Sequence, residues 1–188
     1  MTGTATKRMT VDEFLALPDD GVRRWLIHGE VREDGITIRN RFHSSTMANI
    51  AYELGAWRRT KQKPWGQVVC GEAGVRLDPN DEMTVGVDVA YVSHEVLVQQ
   101  TGESTIIEGV PTLIVEILSP STQIQSVDEK IDMYLQAGVN LLWVVDPRDE
   151  TVTIYRPGVK PTLVNADENL TGGMVLPGFD VPVARLFE

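Results

Sequence analysis

"TLIVEILSPSTQIQSVDEKIDMYLQAGVNLLWVVD", residues 112–146, decides the fold. Thr and large aliphatics fill 112–118 except at Glu116, so this part reads as a buried strand, broken at Ser119-Pro120. The middle places Val127, Ile131, Tyr134 and Leu135 at helical spacing and stops at Gly138. "LLWVVD" is a continuous apolar run, the pattern of a strand covered on both faces. Strand, helix, strand in that order is a βαβ unit, and its two strands are expected to be parallel. Ser119, Pro120, Ser121 and Thr122 read as the strand stop and the cap of the helix.

Working outward, "TVTIYRP" and "PTLVNA" read as a following hairpin, and "LPGFDVPVARLFE" closes the chain. Upstream, "GQVVCGEAGVRL" and "TVGVDVAYVS" read as strands, with a short helix expected within 94–100. "NRFHSSTMANIAYELGAWRRTKQ" spaces Phe42, Met47, Ile50, Leu54 and Trp57 as one long amphipathic helix. "VRRWLIHGEVRE" alternates with period two and reads as one strand. Near the start, Thr10 and Glu13 have capping-box spacing for a short helix. The fold class is α/β or α+β: one mixed sheet flanked by helices, forming a single domain over 1–188 with residues 1–8 as a disordered leader.

The bulk numbers narrow the function. The 188 residues suffice for a sizeable core. The sequence has no apolar run near the length of a membrane span. A single cysteine, Cys70, excludes an internal disulfide framework and suits a reducing cytoplasm, and it is expected to be a small buried hydrophobe. The net charge of −10 argues against broad nonspecific nucleic-acid binding. The charge is uneven, however. Residues 1–70 carry 11 Lys/Arg against 8 Asp/Glu, and residues 71–188 carry 6 against 19. A polyanion would approach the N-terminal part.

Glu116 shares a strand face with Ile114 and Leu118, where a charge needs a partner or a metal. Asp88, in "VGVDVAYVS", shares its face with Gly86 and Ala90, whose small size leaves room beside the carboxylate. Two acids on adjacent strands suit Mg²⁺ or Mn²⁺, which take oxygen ligands and complete their shell with water and phosphate. Lys130 lies three after Val127 and four before Tyr134, flanking the buried helix face. A metal with a lysine beside it is apparatus for phosphodiester hydrolysis. On spacing alone, a plain structural Glu116–Lys130 salt bridge is the readier reading.

The chain resembles the Uma-type family of restriction-endonuclease-like proteins, within the PD-(D/E)XK nuclease superfamily. "MTVDEFLALPDDGVRRWLIHGEV", "DVAYVS", "VEILSPST", "EKIDMYLQAGVNLLWVVDP", "TVTIYRPG" and "LPGFDVPVARLF" carry the likeness in consistent order. The resemblance implies a metal-dependent endonuclease. Asp88 and Glu116 would hold Mg²⁺ or Mn²⁺ and Lys130 would assist the attacking water. The superfamily lysine normally stands two after the second acid, where this chain has Leu118. Val87 replaces the usual proline, and Trp25 replaces an outer carboxylate. Glu30 and His43 match family positions and are accessory candidates. Arg39, Arg41, Arg58, Arg59, Lys61 and Lys63 are candidates for contact with nucleic acid, expected to be DNA, or else a solvated helix face. A homodimer fits an enzyme that addresses two strands. The alternative is a catalytically silent nuclease-fold module for binding or assembly. A glycosidase using the same acids lacks the aromatic platform and long loops such a site needs.

Overall fold

The computed structural model describes residues 8–18, 20–34, 40–78, 82–102, 104–119 and 124–188. The expected leader, apart from Arg8, lies outside them, as do Pro120, Ser121 and Thr122 of the expected strand stop and cap.

The βαβ unit is present as read: β6 (Leu113–Ile117), α4 (Ile124–Gln136) and β7 (Leu141–Asp146), with β6 and β7 parallel and Leu113 opposite Leu141. The next elements are antiparallel, β8 (Thr151–Arg156) and β9 (Val159–Val164). Upstream are α2 (Arg41–Arg59), β3 (Gln67–Asp78), β4 (Met83–Val92), α3 (His94–Leu97) and the two-residue β5 (Ile107–Glu108). The short helix α1 (Val11–Leu15) has both arms of its capping box, Thr10 and Glu13 each bonding the other's backbone N–H.

One expectation is corrected. Residues 22–33 are not one strand but a hairpin, β1 (Arg23–Ile27) and β2 (Glu30–Asp34). His28 and Gly29 turn the chain with φ of 50° and 76°. Positive φ at both central residues matches the twist of a tight hairpin. A two-residue turn does not interrupt a period-two pattern, so alternation alone could not reveal it.

The nine strands form one mostly antiparallel sheet, ordered β2-β1-β4-β6-β7-β8-β9, with β3 against β4 and β5 against β3. On one face α2 packs Ile50, Leu54 and Trp57 onto Val115, Leu141 and Trp143. The C-terminal segment joins that layer through β10 (Asn169–Thr171), β11 (Asp180–Pro182) and a 3-10 turn at Val183–Leu186, which bury Leu170, Phe179, Val183 and Leu186. On the other face α4 packs Ile131, Met133 and Tyr134 onto Ile114, Leu142 and Val144. Both faces of β6 and β7 are covered, which explains their uninterrupted apolar sequence.

Two residues depart from the expected core. Cys70 is exposed, not buried. It lies in the poorly covered first half of β3, so the sheet's position rather than the residue type decides its exposure. Phe42 is 56% exposed, and the buried face of α2 begins instead with His43 and Thr46.

Candidate active site

β4 and β6 run antiparallel, with Val89 opposite Val115 and Ala90 opposite Ile114. One further step in this register sets Asp88 opposite Glu116, and there the main-chain ladder ends. The Ile117 N–H donates to Asp88 Oδ2 instead, at 2.8 Å. A carboxylate that accepts a buried main-chain N–H keeps that donor satisfied where the pairing stops. Both acids are buried, Asp88 at 1% and Glu116 at 7% exposure.

Glu116 is held from α4. Lys130 Nζ donates to Oε2 at 2.8 Å, and the Tyr134 hydroxyl donates to Oε1 at 2.6 Å. Lys130 and Tyr134 are four residues apart, hence one turn apart on one helix face. The Lys130 ammonium also lies 5.4 Å from the centre of the Trp25 ring on β1, within cation–π range. Lys130 is therefore buried rather than at the margin of the helix face. Trp25 thus supplies a π face to this buried cation.

Asp88 is approached from α2. Asn40 caps that helix by accepting the His43 N–H at 3.0 Å, which fixes His43 in the first turn. The buried His43 ring sets Nε2 3.3 Å from Asp88 Oδ1. Neither ring nitrogen has a hydrogen-bond partner among the described residues.

A third carboxylate was missed from sequence. β3 bulges between Cys70, opposite Val89, and Ala73, opposite Val87, so Gly71 and Glu72 stand against Asp88. Glu72 Oε2 lies 3.0 Å from where a Cβ on Gly86 would sit. The space expected beside Gly86 is thus taken by Glu72. A glycine inside the strand pattern, Gly71, was the available signal of a bulge, and Gly71 and Glu72 both adopt positive φ there.

The other candidates lie apart. Glu30 is exposed, and its carboxylate accepts from Arg32 at 2.8 Å. It lines a separate cavity of about 450 Å³ with Arg8, His28, Arg32, Glu129 and Asp132. Arg39 lies outside the described residues. Arg41 stacks on Phe42, 4.2 Å from the ring centre. Arg58 donates to the Gly66 carbonyl at 3.2 Å and Lys61 to the Pro177 carbonyl at 2.5 Å. Arg59 is exposed, and Lys63 lies 4.9 Å from the Trp65 ring centre.

The donor types are those a hard divalent cation takes: carboxylate oxygens, no thiolate among the residues just described, and a buried histidine 3.3 Å from the Asp88 carboxylate. Among the described residues no three His, Cys, Asp or Glu side chains form a ready-made metal cage. Asp88 and Glu116 are the carboxylates of this cluster that could hold such an ion, in place of hydrogen bonds they now accept from Ile117, Lys130 and Tyr134.

The protein-level comparisons agree with this architecture. The crystal structure of "a putative nuclease belonging to DUF820 from Anabaena variabilis ATCC 29413" superposes with a TM-score of 0.78 at 19% identity, over 95% of this chain and 97% of that one. The fold is therefore restriction-endonuclease-like. No curated protein matches the chain. The sequence model of the Uma2 family, described as "Putative restriction endonuclease", matches residues 11–184. That span includes every residue of the buried cluster just described, and the protein belongs to the Uma2 family.

Proposed function

We propose that the protein is an endonuclease that hydrolyses phosphodiester bonds of DNA with Mg²⁺ or Mn²⁺. One observation carries this reading. Two buried carboxylates stand on neighbouring strands, one of them, Glu116, bonded to a buried ammonium, in a chain whose family is described as "Putative restriction endonuclease". A bound divalent ion would polarise the phosphate and lower the pKa of water.

The chain's own residues supply the rest. Asp88 and Glu116 provide the anionic oxygens, the first steadied by the Ile117 N–H and the second by Tyr134. Lys130 offers positive charge where the pentacovalent phosphate gains negative charge. His43 orients water beside Asp88. A water oxygen bonds to phosphorus, one P–O ester bond breaks, and the water's proton passes to the departing oxygen. The same reading takes a cytoplasmic protein working as a homodimer. No helix among the described residues is long and apolar enough to cross a membrane.

Purified protein is expected to cut DNA with Mn²⁺ or Mg²⁺, and Asp88→Ala to stop it. Equal cutting by the variant would refute the assignment. The silent-module reading is favoured by the lack of a three-residue metal cage among the described residues. Calorimetric titration separates the two. Mn²⁺ binding lost in Asp88→Ala supports the enzyme, and no binding at millimolar Mn²⁺ supports the module.

A further inference from the structure

A cavity of about 830 Å³ opens between the start of α2, the end of β6, α4 and the β7–β8 turn. Its inner wall adjoins the candidate active site at four points. Leu118 is two residues past Glu116, and Val144 is the register partner of Glu116 on β7. Ile131 follows Lys130, and Phe42 precedes His43. Two aromatic rings line the space, Phe42 on α2 and Tyr155 on β8.

The charges at this cavity are wrong for a phosphate. Among the described residues, Asp128, Asp146 and Glu150 line it against one cation, Arg148. Asp146 is a fixed acceptor, since its Oδ1 takes the Arg148 N–H at 2.8 Å and the Asp149 N–H at 3.4 Å. Asp128 faces Tyr155, whose phenol is pushed up first by burial and then by that carboxylate, so it stays a neutral ring with an O–H. Aromatic walls with carboxylate acceptors suit a flat uncharged ring that carries N–H donors. Arg41 stacks on one face of Phe42, 4.2 Å from the ring centre, and so puts positive charge behind this platform, within reach of the attached backbone.

We infer that this cavity receives an unpaired nucleobase, so that the substrate is single-stranded or base-extruded DNA rather than intact duplex. The ring lies against Phe42 and Tyr155 while its amino or ring N–H groups meet the carboxylates. In a duplex those groups are paired and both faces are stacked, so a base can enter only when it leaves the helix. The inference rests on the nuclease reading for its substrate but not for its test.

The test is metal-free binding, in EDTA, of a single-stranded oligodeoxynucleotide containing 2-aminopurine, beside the same oligonucleotide in a duplex. Quenching of the probe on the single strand and at least about tenfold weaker duplex binding are expected. Phe42→Ala and Tyr155→Ala should each weaken single-strand binding by about tenfold, and Phe42→Trp should retain it. Equal affinity for both forms, or unchanged single-strand binding in both alanine variants, overturns the inference. Mn²⁺-dependent cleavage is assayed in parallel. Cleavage that needs Asp88 while Phe42 and Tyr155 are dispensable for binding sinks the base pocket alone. Quenching without cleavage sinks the nuclease reading alone.

Discussion

Lys130 Nζ lies 2.8 Å from Glu116 Oε2, and both side chains are about nine-tenths buried. The pair is buried enough that removing one partner strands the other's charge. Lys130→Met is expected to lower stability by about 3–5 kcal/mol, read from the urea midpoint. Lys130→Met combined with Glu116→Gln should recover much of that loss, because no charge is then left alone. A loss below about 0.5 kcal/mol for the single variant would mean that water reaches the site freely.

Asp88 gives a cleaner separation of chemistry from folding. Asn in its place can still accept the Ile117 N–H through its carbonyl oxygen, but it loses the negative charge. Asp88→Asn should therefore keep a Tm close to wild type while Mn²⁺-dependent cleavage falls at least about a hundredfold. Cleavage at wild-type rate by a folded variant would remove Asp88 from the site.

The main sheet was legible because its central unit is unambiguous in the sequence. Glu116 stands out in an aliphatic strand, and "LLWVVD" has no polar residue before Asp146. The surroundings of Glu116 were only half legible. Lys130 and Tyr134 share a helix face by their spacing, yet Tyr134 was read only as an apolar core residue, and its hydroxyl bonds the carboxylate. The part played by Trp25 depends on a hairpin whose turn, His28-Gly29, fits a continuous alternation. Glu72 is placed by a bulge, a register feature that period-two reading cannot locate. The miss at Cys70 has the same origin: how much cover a strand receives is decided by its neighbours.

Two glycines should respond to alanine with opposite signs. Gly55 lies inside α2 with open space where a Cβ would project. Gly55→Ala should stabilise the protein by about 0.5–1 kcal/mol through lower unfolded-chain entropy and better helix propensity. Gly66 precedes β3, and a Cβ there meets the Val92 carbonyl oxygen and the Tyr91 ring. Gly66→Ala should cost about 1–3 kcal/mol, since a backbone carbonyl cannot step aside as a side chain can. Urea titrations of the two variants check the contrast, and shifts of the same sign would contradict it.

Acid should act on the turn before β10. Glu168 Oε2 accepts the Asn165 backbone N–H at 2.8 Å and its side-chain N–H at 2.9 Å, which together hold the carboxyl below its ordinary value of 4.5. The ionised form is thus favoured in the folded state. Its contribution is fully present above pH 4.5 and fades as pH falls through the lower folded value. Glu168→Gln should lower Tm slightly at neutral pH, with the difference from wild type closing in acid. A difference that stays constant across this range would show that the charge plays no part.

The cations along and after α2 should divide into two groups in their effect on nucleic-acid binding. Arg58 and Lys61 are committed to the Gly66 and Pro177 carbonyls, and they sit over the Trp65 and Trp57 rings. Arg59 is exposed and Lys63 lies beside Trp65. Sixteen residues separate His43 from Arg59, about 24 Å along the helix at its usual rise. At roughly 3.4 Å per phosphate along one strand, this end of α2 would meet DNA about seven nucleotides from the reacting bond. Arg59→Ala and Lys63→Ala should therefore each reduce the slope of log K against log salt by about 0.7–0.9 and leave cleavage at saturating DNA unchanged. Arg58→Ala and Lys61→Ala should instead lower Tm with little change in that slope, because their charges serve the α2–β3 junction and the Pro177 segment. A reduced slope in the second pair with an unchanged slope in the first would place the nucleic acid on another face of the molecule.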